Sequence, residues 1–385
     1  MTYDFDTPVD LRGTGSFQWD VLPERYGVPD LVPFTISDMD FRSPPEVLEA
    51  LQRRVAHGVF GYTDWRYGDF RPAVCDWYAR RHGTEADPET LVYGPSVLSQ
   101  LSQLLRMWTG PGDGVVVHTP TYDGFIKALT GLGRELRGVP VGDTAALEAQ
   151  LARPDTRVLL LCSPHNPTGR VWTEEELSRF ARLADAHGVT VISDEIHADL
   201  AHDGHRHLPW LRFAPADGRW ALITSASKAF NLPGLTGAYG IIGDPEERTA
   251  FIRHMETGAG LGSAGALSLT GHIAAYRHGA PWLDELRAYV AGNLRMLADR
   301  LEAAFPGRLG WTPPQAGYLA WLDLRPLGVD DDVLLRELVA REKVAVQPGS
   351  TYGVKGFVRV NLGCPRTKAE HGVDALTRTL TRLAA

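Results

Sequence analysis

Through the middle of the chain, short, mostly apolar runs alternate with stretches whose apolar positions recur every three or four residues. Residues 115–117, 158–162, 189–193 and 221–224 are of the first kind and predict strands covered on both faces. Residues 173–187 are of the second kind, and Thr173 with Glu176 three positions on forms a capping box that predicts a helix start. Strand and helix in alternation predict a mostly parallel central sheet wrapped by helices. From about Pro281 the pattern changes to a long helical stretch reaching Phe305, a strand-like 318–324, another helix and a final strand at 357–361. That mixture predicts a smaller α+β domain. The first forty-odd residues, rich in Gly, Pro and Asp, have weak periodicity and predict an arm packed on the smaller domain or on a partner subunit. The expected organisation is therefore an arm over 1–45 that is part of the small domain, a large domain over 46–280 and a small C-terminal domain over 281–385.

Charge narrows the range of partners. A formal net charge of −8 offers no basic footprint for a phosphate backbone, so no nucleic-acid partner is expected. The apolar runs are strand-sized, well short of the roughly 20 residues that span a bilayer, so no membrane partner is expected either. The opening MTYDFDTPVDL has acids where a secretory leader would carry a basic stretch and an apolar run. Cys75, Cys162 and Cys364 are odd in number and widely spread, which suits a reducing compartment better than a disulfide framework. A cytoplasmic location is expected.

Polar clusters follow three of the apolar runs directly, and the carboxyl ends of strands are where open α/β sheets bind ligands. Residues 163–169, SPHNPTG, form a turn stiffened by two prolines and a glycine that presents Asn166. Residues 193–197, SDEIH, place Asp194 where a carboxylate could hold a protonated ring nitrogen by a charge-assisted hydrogen bond. Residues 225–228, SASK, bring Lys228 as an amine nucleophile toward an aldehyde and Ser225 as a hydroxyl for a phosphate. In the last strand, Arg359 and Asn361 share one face, and the Arg359 guanidinium suits two-point capture of an α-carboxylate. Taken singly these are weak signals, since a lysine near a strand end is usually solvated and an aspartate usually a helix cap. Together they supply each group that pyridoxal 5'-phosphate (PLP) chemistry needs.

These segments resemble fold-type I PLP enzymes of the class I/II aminotransferase group, and more closely its MalY/PatB-type cystathionine beta-lyases. Residues 33–41 (PFTISDMDF), 57–62 (HGVFGY), 92–97 (VYGPSV), 230–242 (FNLPGLTGAYGII), 318–326 (YLAWLDLRP) and 357–366 (FVRVNLGCPR) carry the likeness almost end to end. The resemblance implies the fold-type I PLP-dependent transferase fold, with Lys228 as the Schiff-base lysine and Asp194 paired with the pyridine nitrogen. It implies Asn166 on the cofactor's phenolic oxygen and near the substrate, Tyr122 of TPTYDGF stacked on the ring, and His197 beside the cofactor. Ser225 and the backbone amides around Ser96 and Val97 would cradle the phosphate. Tyr62 would reach it from a neighbouring subunit, which implies a homodimer with shared sites. Arg359 would hold the substrate carboxylate and Asp38 would lie near the substrate. His197 stands where aminotransferases commonly have tyrosine, and Thr236 where they commonly have arginine; both departures match the lyases. The expected reaction is β-elimination of cystathionine or a related cysteine S-conjugate to thiol, pyruvate and ammonia, the alternatives being amino transfer or a regulatory role in protein binding.

Other motifs are set aside. His197, His202, His205 and His207 with Asp199 and Asp203 fit no standard zinc spacing, so no metal is expected. Gly260, Gly262 and Gly265 match G-x-G-x-x-G by letter, but residues 250–257 before them read as helix, not strand. Asp38 and Asp40 are expected near the substrate and not as an acid/base pair, and Trp65 and Trp77 as core or interface anchors.

Overall fold

The computed structural model describes residues 2–216 and 218–384. They form two compact units: Ser43–His165 with Arg170–Leu283, and Met1–Arg42 with Asn166–Gly169 and Asp284–Ala385. No helix of the described residues is long and apolar enough to cross a membrane.

The larger unit is built on a seven-stranded sheet. Its strands are β1 (Leu91–Gly94), β2 (Gly114–Thr119), β3 (Glu135–Pro140), β4 (Thr156–Cys162), β5 (Thr190–Asp194), β6 (Trp220–Thr224) and β7 (Ala238–Ile242). Their order across the sheet is β1-β7-β6-β5-β4-β2-β3, and β7 runs antiparallel to both its neighbours. The apolar runs of the sequence are the core of β2, β4, β5 and β6, each buried at nearly every position because helices cover both sheet faces. The expected capping box is present at Thr173, whose side chain accepts from the Glu176 amide at the head of the helix Glu174–Ala186. The chain lays β3 on one side of β2 and then returns to lay β4 on the other. That reversal is a topological switch point, so the carboxyl ends of β2 and β4 flank the crevice in which such sheets bind ligands. Parallel register then brings Cys162, Asp194 and Ile223 into one row across β4, β5 and β6.

One correction to the sequence reading arises here. Asp194 is the last residue of β5, where the sequence reading had put it just beyond the strand, and so it is buried with the strand end. The G-x-G-x-x-G letters follow the helix Pro245–Arg253 and its continuation His254–Gly258, in keeping with the helical reading. Trp77 is a core anchor: it is 1% exposed, stacks on Tyr276 with ring centroids 5.1 Å apart, and donates from Nε1 to Asp199 Oδ1.

The smaller unit has a three-stranded antiparallel sheet of β8 (Leu319–Asp323), β9 (Gln347–Pro348) and β10 (Phe357–Asn361), with β10 in the middle. Val32–Pro33 of the arm pairs in parallel with Val344–Ala345. The arm is fastened to this unit, as one of the two expected placements had it. Asn361 Nδ2 donates to the Ile36 and Asp38 carbonyls at 2.5 and 2.6 Å, and the Tyr318 hydroxyl donates to the Ser37 carbonyl at 2.8 Å. Asp40 is buried, and its carboxylate takes the Trp19 indole N–H at 3.0 Å and pairs with Lys368.

Packing is tight where the helix Arg366–Leu383 crosses Phe34. A methyl group at Gly372 would lie 2.2 to 2.7 Å from three carbons of that ring, which is itself 1% exposed. Alanine at a helix interior gains about 1 kcal/mol over glycine, but overpacking a closed core costs about 1–3 kcal/mol. Gly372→Ala is therefore expected to lower the thermal midpoint of the protein by calorimetry, and an unchanged or raised midpoint would show that Phe34 has room to move.

Candidate active site

The strand ends of the larger unit carry most of the residues that the sequence singles out. Asp194 is 3% exposed and accepts one hydrogen bond, from the Ile196 amide to Oδ1 at 3.1 Å. Its pKa is pushed up to about 7, chiefly because burial disfavours the carboxylate; the Ile196 amide lowers it, the adjacent Glu195 charge raises it and the Lys228 charge lowers it. Lys228 thus stands close enough to act on Asp194 electrostatically. It is half-buried in the turn that leaves β6, where the Phe230 amide donates to the Ala226 carbonyl and the Leu232 amide to the Ser227 carbonyl. Asn231 and Thr236, both at positive φ, bend the chain back behind it. An amine and a proton-holding carboxyl at neighbouring strand ends can together serve a ligand that needs covalent capture at one point and a proton at another.

Ser225 is buried and its hydroxyl is already engaged. Oγ donates to the Gly237 carbonyl at 2.7 Å, accepts from the Ser227 amide at 3.1 Å and lies 3.2 Å from His272 Nε2. His272 Nδ1 sits 2.8 Å from the Ser268 carbonyl, and burial lowers the pKa of the ring. A phosphate at Ser225 would have to draw that hydroxyl proton away from Gly237. Ser96 caps the helix Val97–Trp108 by accepting from the Ser99 amide at 3.0 Å, which leaves the Val97 and Leu98 amides without an acceptor inside the helix. The N-terminal end of this helix favours an anion.

Tyr122 caps the helix Asp123–Gly131, and its ring meets Phe125 edge-on at 5.5 Å. A Cβ at Gly124 would lie 2.4 Å from that ring and 3.1 Å from a Leu98 methyl, so the ring rests in a seat that only glycine leaves open. His197 is buried at the head of a short 3₁₀ turn, Ala198–Leu200, three residues past Asp194. Tyr62 is fully exposed, within a stretch that also exposes Val55, Val59, Phe60 and Tyr67.

The smaller unit carries the remaining residues. Arg359, on the central strand β10, is 3% exposed; Nη1 donates to Asn166 Oδ1 at 3.1 Å, Nη2 to the Thr35 carbonyl at 2.7 Å, and the guanidinium lies 4.8 Å from the Tyr352 ring centre. Its buried Nε–H has no hydrogen-bond partner among the described residues, nor does the guanidinium have a carboxylate within ion-pair reach among them. A buried cation with an unused donor is suited to an incoming anion. Asn361 spends its amide on the arm, so the face it shares with Arg359 divides into one residue that fastens and one that also keeps a donor in reserve. Asp38 contributes its carbonyl to that fastening.

Several contributors are absent from the sequence reading. Glu195 and His207 form a fully buried pair beside Asp194, and His272 backs Ser225. The SDEIH and histidine-rich segments both contained a clue, but their pairing is a contact across twelve positions that spacing alone does not reveal.

Comparison with known proteins agrees with this geometry. Residues 29–376 match the family model for aminotransferase class I and II. Protein MalY of Escherichia coli (strain K12) is 50% identical over 98% of this chain and 99% of its own length. Cystathionine beta-lyase PatB of Bacillus subtilis (strain 168) is 37% identical over 98% of this chain and 100% of its own. The crystal structure of the PLP-bound C-S lyase from Staphylococcus hominis superposes with a TM-score of 0.91 at 27% identity, covering 99% of this chain and 98% of that one. A half-buried amine and a buried carboxyl at the ends of parallel strands, in a chain matched end to end by these proteins, place it in the class I and II aminotransferase family, within the MalY/PatB-type group of PLP enzymes.

Proposed function

We propose that the chain is a PLP-dependent carbon–sulfur β-lyase that splits cystathionine, or a related cysteine S-conjugate, into a thiol, pyruvate and ammonia. Asp194 carries this reading: a carboxyl buried to the point of titrating near 7, with a lysine acting on it, is costly unless a basic ring nitrogen is there to share its proton. The residues fit PLP on a second count, since the buried Arg359 keeps an unused Nε–H for an α-carboxylate. When bound, PLP supplies an aldehyde for attachment and a ring that takes up the electrons of the bond broken at the substrate's α-carbon.

The protein's own groups do the rest. The Lys228 amine would hold the cofactor and would serve as the general base for the substrate's α-proton. Asp194 would keep a proton at the ring nitrogen, Tyr122 and Asn166 would fix the ring, and the Val97 and Leu98 amides with Ser225 would hold the phosphate. His197 packs beside the cofactor. Arg359 orients the substrate through its carboxylate, with Asp38 nearby. Amino transfer is not favoured, since the relatives of highest identity that name a reaction name a lyase.

The exposed apolar stretch around Tyr62 supports a homodimer in which a second copy covers these side chains and Tyr62 serves the neighbour's phosphate. Three free cysteines support a cytoplasmic setting.

Purified protein with PLP is expected to form pyruvate from cystathionine, and Lys228→Ala to lower that rate by about 10³-fold or more through loss of the base and of covalent capture; no pyruvate from any thioether amino acid would remove the proposal. Arg359→Lys, which keeps the charge but not the fork, is expected to raise KM by about 10- to 100-fold, and a KM within twofold of the parent would take Arg359 out of carboxylate binding. Because the folded state holds the Asp194 proton up to about pH 7 against 3.8 for an ordinary aspartate, stability from this group is lost as pH rises between those values. The loss is on the order of 4 kcal/mol at about 1.4 kcal/mol for each pH step. Asp194→Asn is thus expected to raise the melting temperature of the cofactor-free protein at pH 8, change it little at pH 4, and depress activity at both; equal effects on melting at the two pH values would contradict it.

A further inference from the structure

Asp194 is followed directly by a second buried carboxylate. Glu195 is 1% exposed, and its two oxygens accept three hydrogen bonds: Ser193 Oγ at 2.9 Å and the Trp210 amide at 2.7 Å on Oε1, and His207 Nε2 at 2.9 Å on Oε2. Since Ser193 and Glu195 touch, they share one face of the strand end, and alternation turns Asp194 to the other. A carboxyl that accepts three times and donates nothing is held as the anion.

Whether His207 cancels that charge depends on its second nitrogen. Nδ1 is buried with no hydrogen-bond partner among the described residues, so an imidazolium would strand an N–H inside the core, whereas the neutral ring needs only the Nε2–H that Glu195 receives. The other titratable groups facing the pair leave the balance unchanged. His82 meets His207 edge-on at 5.5 Å and is itself spent on Asp199 at 3.0 Å, to which Trp77 also donates; Tyr78 feels both acids and is pushed further from ionisation. On the opposite face, Lys228 is the cation acting on Asp194. Glu195 therefore keeps a net negative charge one residue from Asp194.

We propose that Glu195, held as an anion by a neutral His207, is a positioning residue that acts through Asp194 to retain the proton shared with the cofactor's ring nitrogen. The inference rests on the cofactor reading above and adds to it a residue that touches neither cofactor nor substrate. Without the second charge the proton leaves at lower pH, and the ring nitrogen's lone pair then faces a bare carboxylate, two acceptors with nothing between them.

The test uses the full chain stripped of cofactor and titrated by tryptophan fluorescence with pyridoxine 5'-phosphate, which has the ring and the phosphate but no aldehyde, from pH 6 to 10. Affinity of the parent protein is expected to fall as pH rises through loss of the shared proton. In Glu195→Gln that fall should begin about one pH unit lower, giving about tenfold weaker binding at pH 8.5 and a difference under about twofold at pH 6. Glu195→Asp, which keeps the charge, should follow the parent, and His207→Leu, which removes a donor from Glu195 and so favours its protonation, should shift in the direction of Glu195→Gln by less. Coincident pH profiles for the parent and Glu195→Gln would sink the inference while leaving the cofactor reading intact; no binding of the probe by the parent at any pH would sink the cofactor reading itself. If Glu195→Gln and His207→Leu both fail to fold at pH 6, by circular dichroism, the pair is a structural tie and the assignment falls.

Discussion

Most of what this protein can do follows from a carboxyl group held out of water at the end of a parallel strand. Burying Asp194 makes its charged form expensive, and the fold supplies little to offset the cost from within: one amide, and a lysine whose charge acts on it. The helices that cover both faces of the sheet make this burial unavoidable for any residue closing β5, and register sets the same constraint on the ends of β4 and β6. An environment that raises the proton affinity of a carboxyl beside an amine is one that a basic heterocycle relieves, so the cost of burying Asp194 and the cofactor requirement have one origin.

The smaller unit answers a similar problem with the opposite sign. Arg359 is a buried cation whose hydrogen bonds go to one amide oxygen and one backbone carbonyl, neither of which bears a formal charge. The arm that supplies the carbonyl is fastened by Asn361 of the same sheet and by Tyr318 just before it, so the guanidinium is aimed by contacts between residues 281 to 325 positions apart in sequence.

The legible part of this architecture was whatever periodicity or strand-end position could reveal. Mostly apolar runs announced β2, β4, β5 and β6, and polar clusters directly after them marked Asn166, Asp194, Ser225 and Lys228 as candidates. Boundaries were less legible: Asp194 belongs to its strand because hydrogen bonding continues one residue further than apolarity does. Pairings between distant segments were not legible at all. Nothing in SDEIH indicates that Glu195 meets His207, nothing in SASK indicates that the Ser225 hydroxyl already donates to Gly237, and a run of histidines that suggests a metal by composition in part supplies a buried partner for Glu195. These are facts of tertiary contact, to which a pattern along one dimension is blind.

Gly124 illustrates how such a contact can reach back into the sequence. A glycine near the start of a helix costs about 1 kcal/mol relative to alanine, yet here it vacates the volume that the Tyr122 ring occupies against the Leu98 methyl. An aromatic plate parked in one orientation before anything arrives has little rotamer freedom left to lose, so a flat guest would find its stacking surface prepaid in entropy. The small residue inside TPTYDGF is in this sense part of the binding surface, though it presents no side chain of its own.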